Sequence, residues 1–287
     1  MRRLAVVVAT LAAVMTTAAC GQDDAGVRTP PSTLSGAPEA TPSGGGPEAT
    51  QQPRVSPSPP PPGFADLSDV DPSILQDIRY YTEHNFVGRR VEGYDAPRCL
   101  LTTKAAQALR QAQQTANAKG LSLKVYDCYR PVRAGEDFKR WAEMSQAQEM
   151  KAEFYPSLSK SDLLSGGYLA GGRSTHSRGS TVDLTLVALP PRAQRPYVKG
   201  EPLVACTAPA DQRFPDNTVD MGTGFDCFDT RSHTDDPRIQ GTARQNRQTL
   251  KQLMTGAGFL DYSNEWWHFR LASEPSPDTY FDFPISP

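Results

Sequence analysis

Histidine is scarce in this chain, with four among 287 residues, so a site built from imidazoles must draw on a very small set. Long apolar runs are missing too. The longest, from Leu4 to about Met15, falls short of the roughly 20 residues a spanning helix needs, which excludes a permanent transmembrane helix. Neither sign of charge is in excess: 30 basic side chains stand against 32 acidic ones, for a net charge of -2. Without a basic surplus there is no electrostatic footprint for nucleic acid, whereas a small zwitterionic or weakly charged substrate fits. The five cysteines include no Cys-x2-Cys pair, which removes the spacing of a structural four-cysteine zinc site. No internal repeat is visible.

What is present at the N-terminus has the order of an export signal: Arg2 and Arg3, the apolar stretch, then small residues ending Thr17-Ala-Ala-Cys20. The small residues before Cys20 resemble a bacterial lipobox. This predicts a signal peptide over 1–20, lipidation of Cys20 and a membrane anchor on the outer face of the cytoplasmic membrane, with simple secretion as the alternative. Residues 21–63 are rich in Pro, Ser, Gly, Thr and Ala. They hold too little apolar surface to offset the entropy of ordering, and read as a disordered, extended tether. The tether would keep a single domain, 64–287, away from the membrane and within the cell-wall layer.

Export bears on the four remaining cysteines. An even number in an oxidising compartment predicts disulfides, and four allow three pairings. A polar, Pro-rich insertion between Leu189 and Met221 carries Cys206; Cys206 and Cys227 flank one loop-like stretch, which favours their bridge and leaves Cys99 for Cys128.

Within the domain, Asp71-Pro72 reads as a helix start. Thr103 to Lys119 reads as a helix with Ala105, Ala108, Leu109 and Ala112 on one face, closed by Gly120. Leu121 to Tyr129 alternates as a strand and delivers Arg130 at its end. Pro131 to Met150 reads as a long helix with Phe138, Trp141 and Met144 on its apolar face. Tyr155 to Gly172 reads as a loop, Val182 to Val187 as a buried strand, and Thr242 to Met254 as a third helix leading into a final strand.

Two of the four histidines fall in short motifs, Ser174-Thr-His176-Ser-Arg-Gly179-Ser-Thr-Val-Asp183 and Glu265-Trp-Trp-His268. A hydrolytic zinc site uses three protein ligands and keeps one position open. His176, Asp183 and His268 supply such a set. Gly179 lets the backbone turn between the first two. Glu265 is left over beside the metal, where a carboxylate can take the proton of the attacking water and pass it to the leaving amine. On an ideal strand, residues three apart point to opposite faces, so Glu265 and His268 together require a strand end, a bulge or a tight bend. His84 and His233 read as structural.

The combination Ser-x-His-x6-Asp followed by Glu-x-x-His resembles the zinc D-Ala-D-Ala peptidases. The run His176-Ser-Arg-Gly-Ser-Thr-Val-Asp183-Leu-Thr-Leu is similar to their dipeptidase branch, of the vancomycin-resistance type. Met221-Gly-Thr-Gly-Phe-Asp226 and Tyr129-Arg130-Pro131 match two further segments of that branch, so the resemblance covers about residue 64 to 287. It implies a zinc dipeptidase with one Zn2+ per chain that splits a small peptide ending in D-Ala, in a peptidoglycan environment. It assigns Arg130 to the developing oxyanion, Asp226 to the substrate ammonium, and Ser174 and Tyr168 to the edge of the dipeptide pocket. The insertion departs from the pattern and lies next to the pocket in sequence, where it would narrow or change substrate choice. The fold expected is α+β, a small, mostly antiparallel sheet with helices on one side and the zinc cleft on the other. Two rival functions stand beside this one: a D,D-carboxypeptidase trimming stem peptides, and a non-catalytic wall-binding lipoprotein.

Overall fold

In the structure, a computed structural model, residues 61–169 and 171–287 are described. The expected export signal, Cys20 and almost all of the expected tether lie outside the described residues. The elements run β1 (Phe64–Asp66), α1 (Leu67–Val70), β2 (Leu75–Gln76), β3 (Leu100–Thr102), α2 (Thr103–Asn117), β4 (Leu121–Asp127) and α3 (Val132–Glu143). They continue with α4 (Lys151–Phe154), α5 (Lys160–Ser165), β5 (Thr181–Ala188), α6 (Gly241–Gly256), β6 (Phe259–Tyr262) and β7 (Glu265–Leu271).

The main sheet has the strand order β2-β4-β5-β7-β6, and β1 pairs with β3 in a second, two-stranded sheet. Antiparallel pairing dominates, but β2 lies parallel to β4, so the five-stranded sheet is mixed. β5 is its most enclosed strand. From Thr181 to Val187 every residue is buried, because both faces of the strand are covered. Val182, Leu184 and Leu186 join the core with Leu109 and Ala112 of α2 and with Leu250 and Leu253 of α6. Alternation then turns Thr181, Asp183 and Thr185 to the opposite face, where a buried carboxylate needs polar partners.

Helix α2 forms where its spacing predicts. Thr102 Oγ1 caps it by accepting from Ala105 N at 3.4 Å, its Ala and Leu face is buried, and Gly120 at φ +71° turns the chain into β4. Three other expectations are corrected. Asp71 does not start a helix: its carboxylate accepts from Ser73 N at 3.1 Å in a local turn, and the one-turn helix α1 precedes it, capped by Asp66. The helix expected from Pro131 to Met150 stops at Glu143, leaving Met144 53 % exposed while Phe138 and Trp141 stay in the core. The loop expected from Tyr155 to Gly172 contains α5, started by a capping box between Ser159 and Asp162. The final strand is the hairpin β6–β7.

Both expected disulfides are present, Cys99–Cys128 and Cys206–Cys227, with Cα separations of 5.3 and 5.5 Å. The second ties the insertion to the segment carrying Asp226. A buried ionic cluster ties it again, since Asp216 accepts from Arg79 at 2.7 Å, from Tyr126 at 2.6 Å and from Lys124. His84 lies under the same insertion, stacked on Tyr197 with ring centroids 4.5 Å apart and bonded through Nε2 to Glu153 at 2.9 Å. That is a structural role.

Candidate metal centre

Three neighbouring strands bring one rank of side chains together. Asp127 on β4 is the Cα partner of Asp183 on β5, which is in turn the partner of His268 on β7. His176 comes from the 3-10 turn Thr175–Arg178 that leads into β5. The turn ends on Gly179 at φ +74°, where a Cβ would meet the Phe64 ring at 2.3 Å, so only glycine fits.

The ligand atoms of His176, Asp183 and His268 all lie within 4.8 Å of one another. His176 Nε2 is 3.3 Å from Asp183 Oδ2 and 3.2 Å from His268 Nδ1, and His268 Nδ1 is 3.1 Å from Asp183 Oδ1. The outer nitrogens are engaged elsewhere. His176 Nδ1 donates to Cys128 O at 2.8 Å, and His268 Nε2 donates to Thr175 Oγ1 at 3.3 Å. Each neutral imidazole is thereby left with its lone pair facing the other two residues. Asp183 Oδ1 is buried and accepts no hydrogen bond. Three electron-pair donors crowded around an orphaned carboxylate oxygen fit a divalent cation, and two imidazoles with one carboxylate suit zinc. Burial alone would raise the Asp183 carboxyl, and positive charge at this spot, from His176 and His268 when protonated, holds it well below the usual range.

Glu265 opens β7, and the register shifts at its partner Tyr262. This strand end is the irregularity the motif requires: it turns the Glu265 carboxylate toward His268, 3.6 Å from Nδ1, and leaves it off the trio. Burial pushes its carboxyl up to about 7, a value suited to gaining and losing a proton near neutrality.

Around this cluster lies a cleft of about 340 Å³ whose walls include Arg130, Tyr168, Ser174, Asp226 and Glu265. Arg130 donates from Nε to Asp127 Oδ2 at 2.9 Å and stands 3.5 Å from Asp183 Oδ2. Asp226 adopts φ +54°, a left-handed conformation uncommon outside glycine and most tolerated by Asn and Asp. Its carboxylate accepts from Tyr80 Oη at 2.8 Å and forms no ion pair among the described residues; burial and the Asp183 charge push its carboxyl well above the usual range, against the smaller pull of Arg130. No residue of the insertion lines this cleft. The expected place of the insertion beside the pocket is therefore corrected: the clasp on Asp216 and the disulfide hold it against Tyr126 and Phe225, where it lines a separate cavity of about 230 Å³.

Sequence reasoning passed over Asp127, Tyr80 and Tyr94. Asp127 receives Tyr94 Oη at 2.6 Å as well as Arg130, and its Oδ2 lies 3.4 Å from His176 Nδ1. The available signal was an acidic residue closing a strand of alternating pattern, three positions before the arginine.

A buried trio of donors with a spare carboxylate beside it, in a cleft on an α+β sheet, defines the class as a metallopeptidase. The family model described as D-ala-D-ala dipeptidase matches residues 62–190 and 211–286, and the chain belongs to that family. The gap between the two matched stretches, 191–210, falls within the insertion. The chain is 38% identical over 224 residues to a D-alanyl-D-alanine dipeptidase of Enterococcus faecalis, covering 78% of this chain and 98% of that one. It is 39% identical over 223 residues to one from Streptomyces coelicolor, with the same coverage, and 32% identical over 227 residues to one from Escherichia coli, covering 94% of that chain.

Proposed function

We propose that this protein hydrolyses the D-alanyl-D-alanine dipeptide to free D-alanine, using one zinc ion held by His176, Asp183 and His268. The observation that carries the reading is the trio of donors within 4.8 Å with the half-buried Glu265 beside it, 3.6 Å from His268 Nδ1. When bound, zinc would polarise the scissile carbonyl and acidify a water molecule. The chain's own residues account for the remainder. Glu265 takes a proton from the attacking water and returns one to the leaving amine. Arg130, steadied by Asp127, faces the negative charge that develops on the carbonyl oxygen. Asp226, braced by Tyr80, accepts the substrate ammonium, whose charge satisfies a buried carboxylate that forms no ion pair among the described residues.

That buried carboxylate also supports a dipeptidase over a D,D-carboxypeptidase, because a stem peptide presents an amide where the dipeptide presents its free amine. The N-terminal export signal and Cys20 support work outside the cytoplasm, with the domain tethered to the membrane and turning over cell-wall peptides. Incubating the purified protein with free D-Ala-D-Ala and with a pentapeptide ending in D-Ala-D-Ala, each with and without a chelator, tests this reading. Chelator-sensitive release of D-alanine from the dipeptide, and little from the pentapeptide, is expected. The reverse preference assigns a carboxypeptidase, and no release from either assigns a non-catalytic role.

A further inference from the structure

Three arginines line the cleft, and two of them are committed. Arg130 is paired with Asp127. Arg178 is held in a two-pronged ion pair by Glu274, with N···O distances of 2.7 and 2.8 Å, and its third nitrogen lies 3.4 Å from Tyr280 Oη. The third, Arg173, is exposed and makes no hydrogen bond or ion pair among the described residues. Its guanidinium lies over the Tyr280 ring, 5.5 Å from the centroid, a contact that steadies the planar group without using its N–H donors. The following residue, Ser174, also lines the cleft, and its Oγ is buried with no hydrogen-bond partner. Two consecutive residues thus hold donors with nothing to donate to.

A dipeptide carries charges of opposite sign at its two ends. Asp226, on the wall it shares with Tyr80, suits the ammonium. The carboxylate of the leaving residue needs donors on a different wall, and Arg173 belongs to the one formed with Tyr280 and Arg178. We infer that Arg173 binds the terminal carboxylate of the substrate, with Ser174 Oγ as a second donor, and so selects peptides whose last residue has a free carboxyl group. A guanidinium is suited to this task because its paired N–H groups match both oxygens of a carboxylate. The inference rests on the dipeptidase reading above and deepens it.

The test measures kcat and KM for D-Ala-D-Ala and for its C-terminal amide, with the zinc-loaded wild type, Arg173→Ala and Arg173→Lys. For the wild type, KM is expected to be about tenfold higher for the amide than for the acid, the order a charge-assisted hydrogen bond supplies at a partly solvated site. Arg173→Ala should raise KM for the acid by about the same factor with kcat within about twofold, and leave the amide unchanged; Arg173→Lys should recover most of the loss. A KM that rises equally for acid and amide, or does not rise for the acid, overturns the inference while the dipeptidase reading stands. A wild type that releases no D-alanine from the dipeptide overturns that reading and this inference with it.

Discussion

Asp183 and His268 are Cα partners across β5 and β7, with Oδ1 3.1 Å from Nδ1. The sheet register therefore sets the spacing of two members of the donor trio, and the 3-10 turn before β5 adds the third. Asp183→Asn keeps the shape and removes the charge. It should lower zinc affinity at least tenfold, the order seen when a metal site loses a supporting interaction and a lower bound for the loss of a ligand. Equilibrium dialysis checks this, and wild-type affinity in the variant would remove Asp183 from the site.

The insertion is stapled at Cys206–Cys227, a sequence separation of 21. Replacing both cysteines by alanine should cost about 3 kcal/mol if the bridge acts chiefly by restricting the unfolded chain. For a domain of this size that corresponds to a Tm lower by roughly 6 to 12 °C. Thermal unfolding under oxidising conditions reads it directly, and an unchanged Tm contradicts it.

Asp216 gives the fold an acid limit. Burial alone would raise its carboxyl, but Arg79 and Lys124 hold it below its ordinary value of 3.8. Because the folded value is the lower one, its contribution is fully present above about pH 4 and is lost as pH falls through the folded value. Asp216→Asn should destabilise the protein by about 3 kcal/mol near pH 6, since it leaves buried cations short of a partner. The gap between wild type and variant, followed by denaturant unfolding, should shrink toward pH 3. A gap that stays constant over that range contradicts the assignment.

That His176, Asp183 and His268 would meet was legible because zinc chemistry restricts both residue type and spacing, and four histidines leave few ways to build a site. Helix α2 was legible from its 3.6-residue period, and the Cys206–Cys227 bridge from two cysteines flanking one loop-like stretch. The neighbours of the site were not. Asp127, Tyr80 and Tyr94 act through side-chain hydrogen bonds between residues distant in sequence, and no local pattern marks such a meeting. Strand β2 is two residues long and pairs in parallel, too short to show alternation. The insertion's position depends on Asp216 reaching Arg79, 137 residues away, so its closeness to Asp226 in sequence misled as to which cavity it covers.

The central claim is that Glu265 stands beside the metal without binding it and moves the proton. Glu265→Gln measures it most directly, in one preparation assayed for bound zinc and for D-Ala-D-Ala turnover. One equivalent of zinc at wild-type affinity, with kcat lowered at least a hundredfold, is expected from the loss of a general base. Wild-type turnover, or loss of the zinc together with the activity, would contradict it.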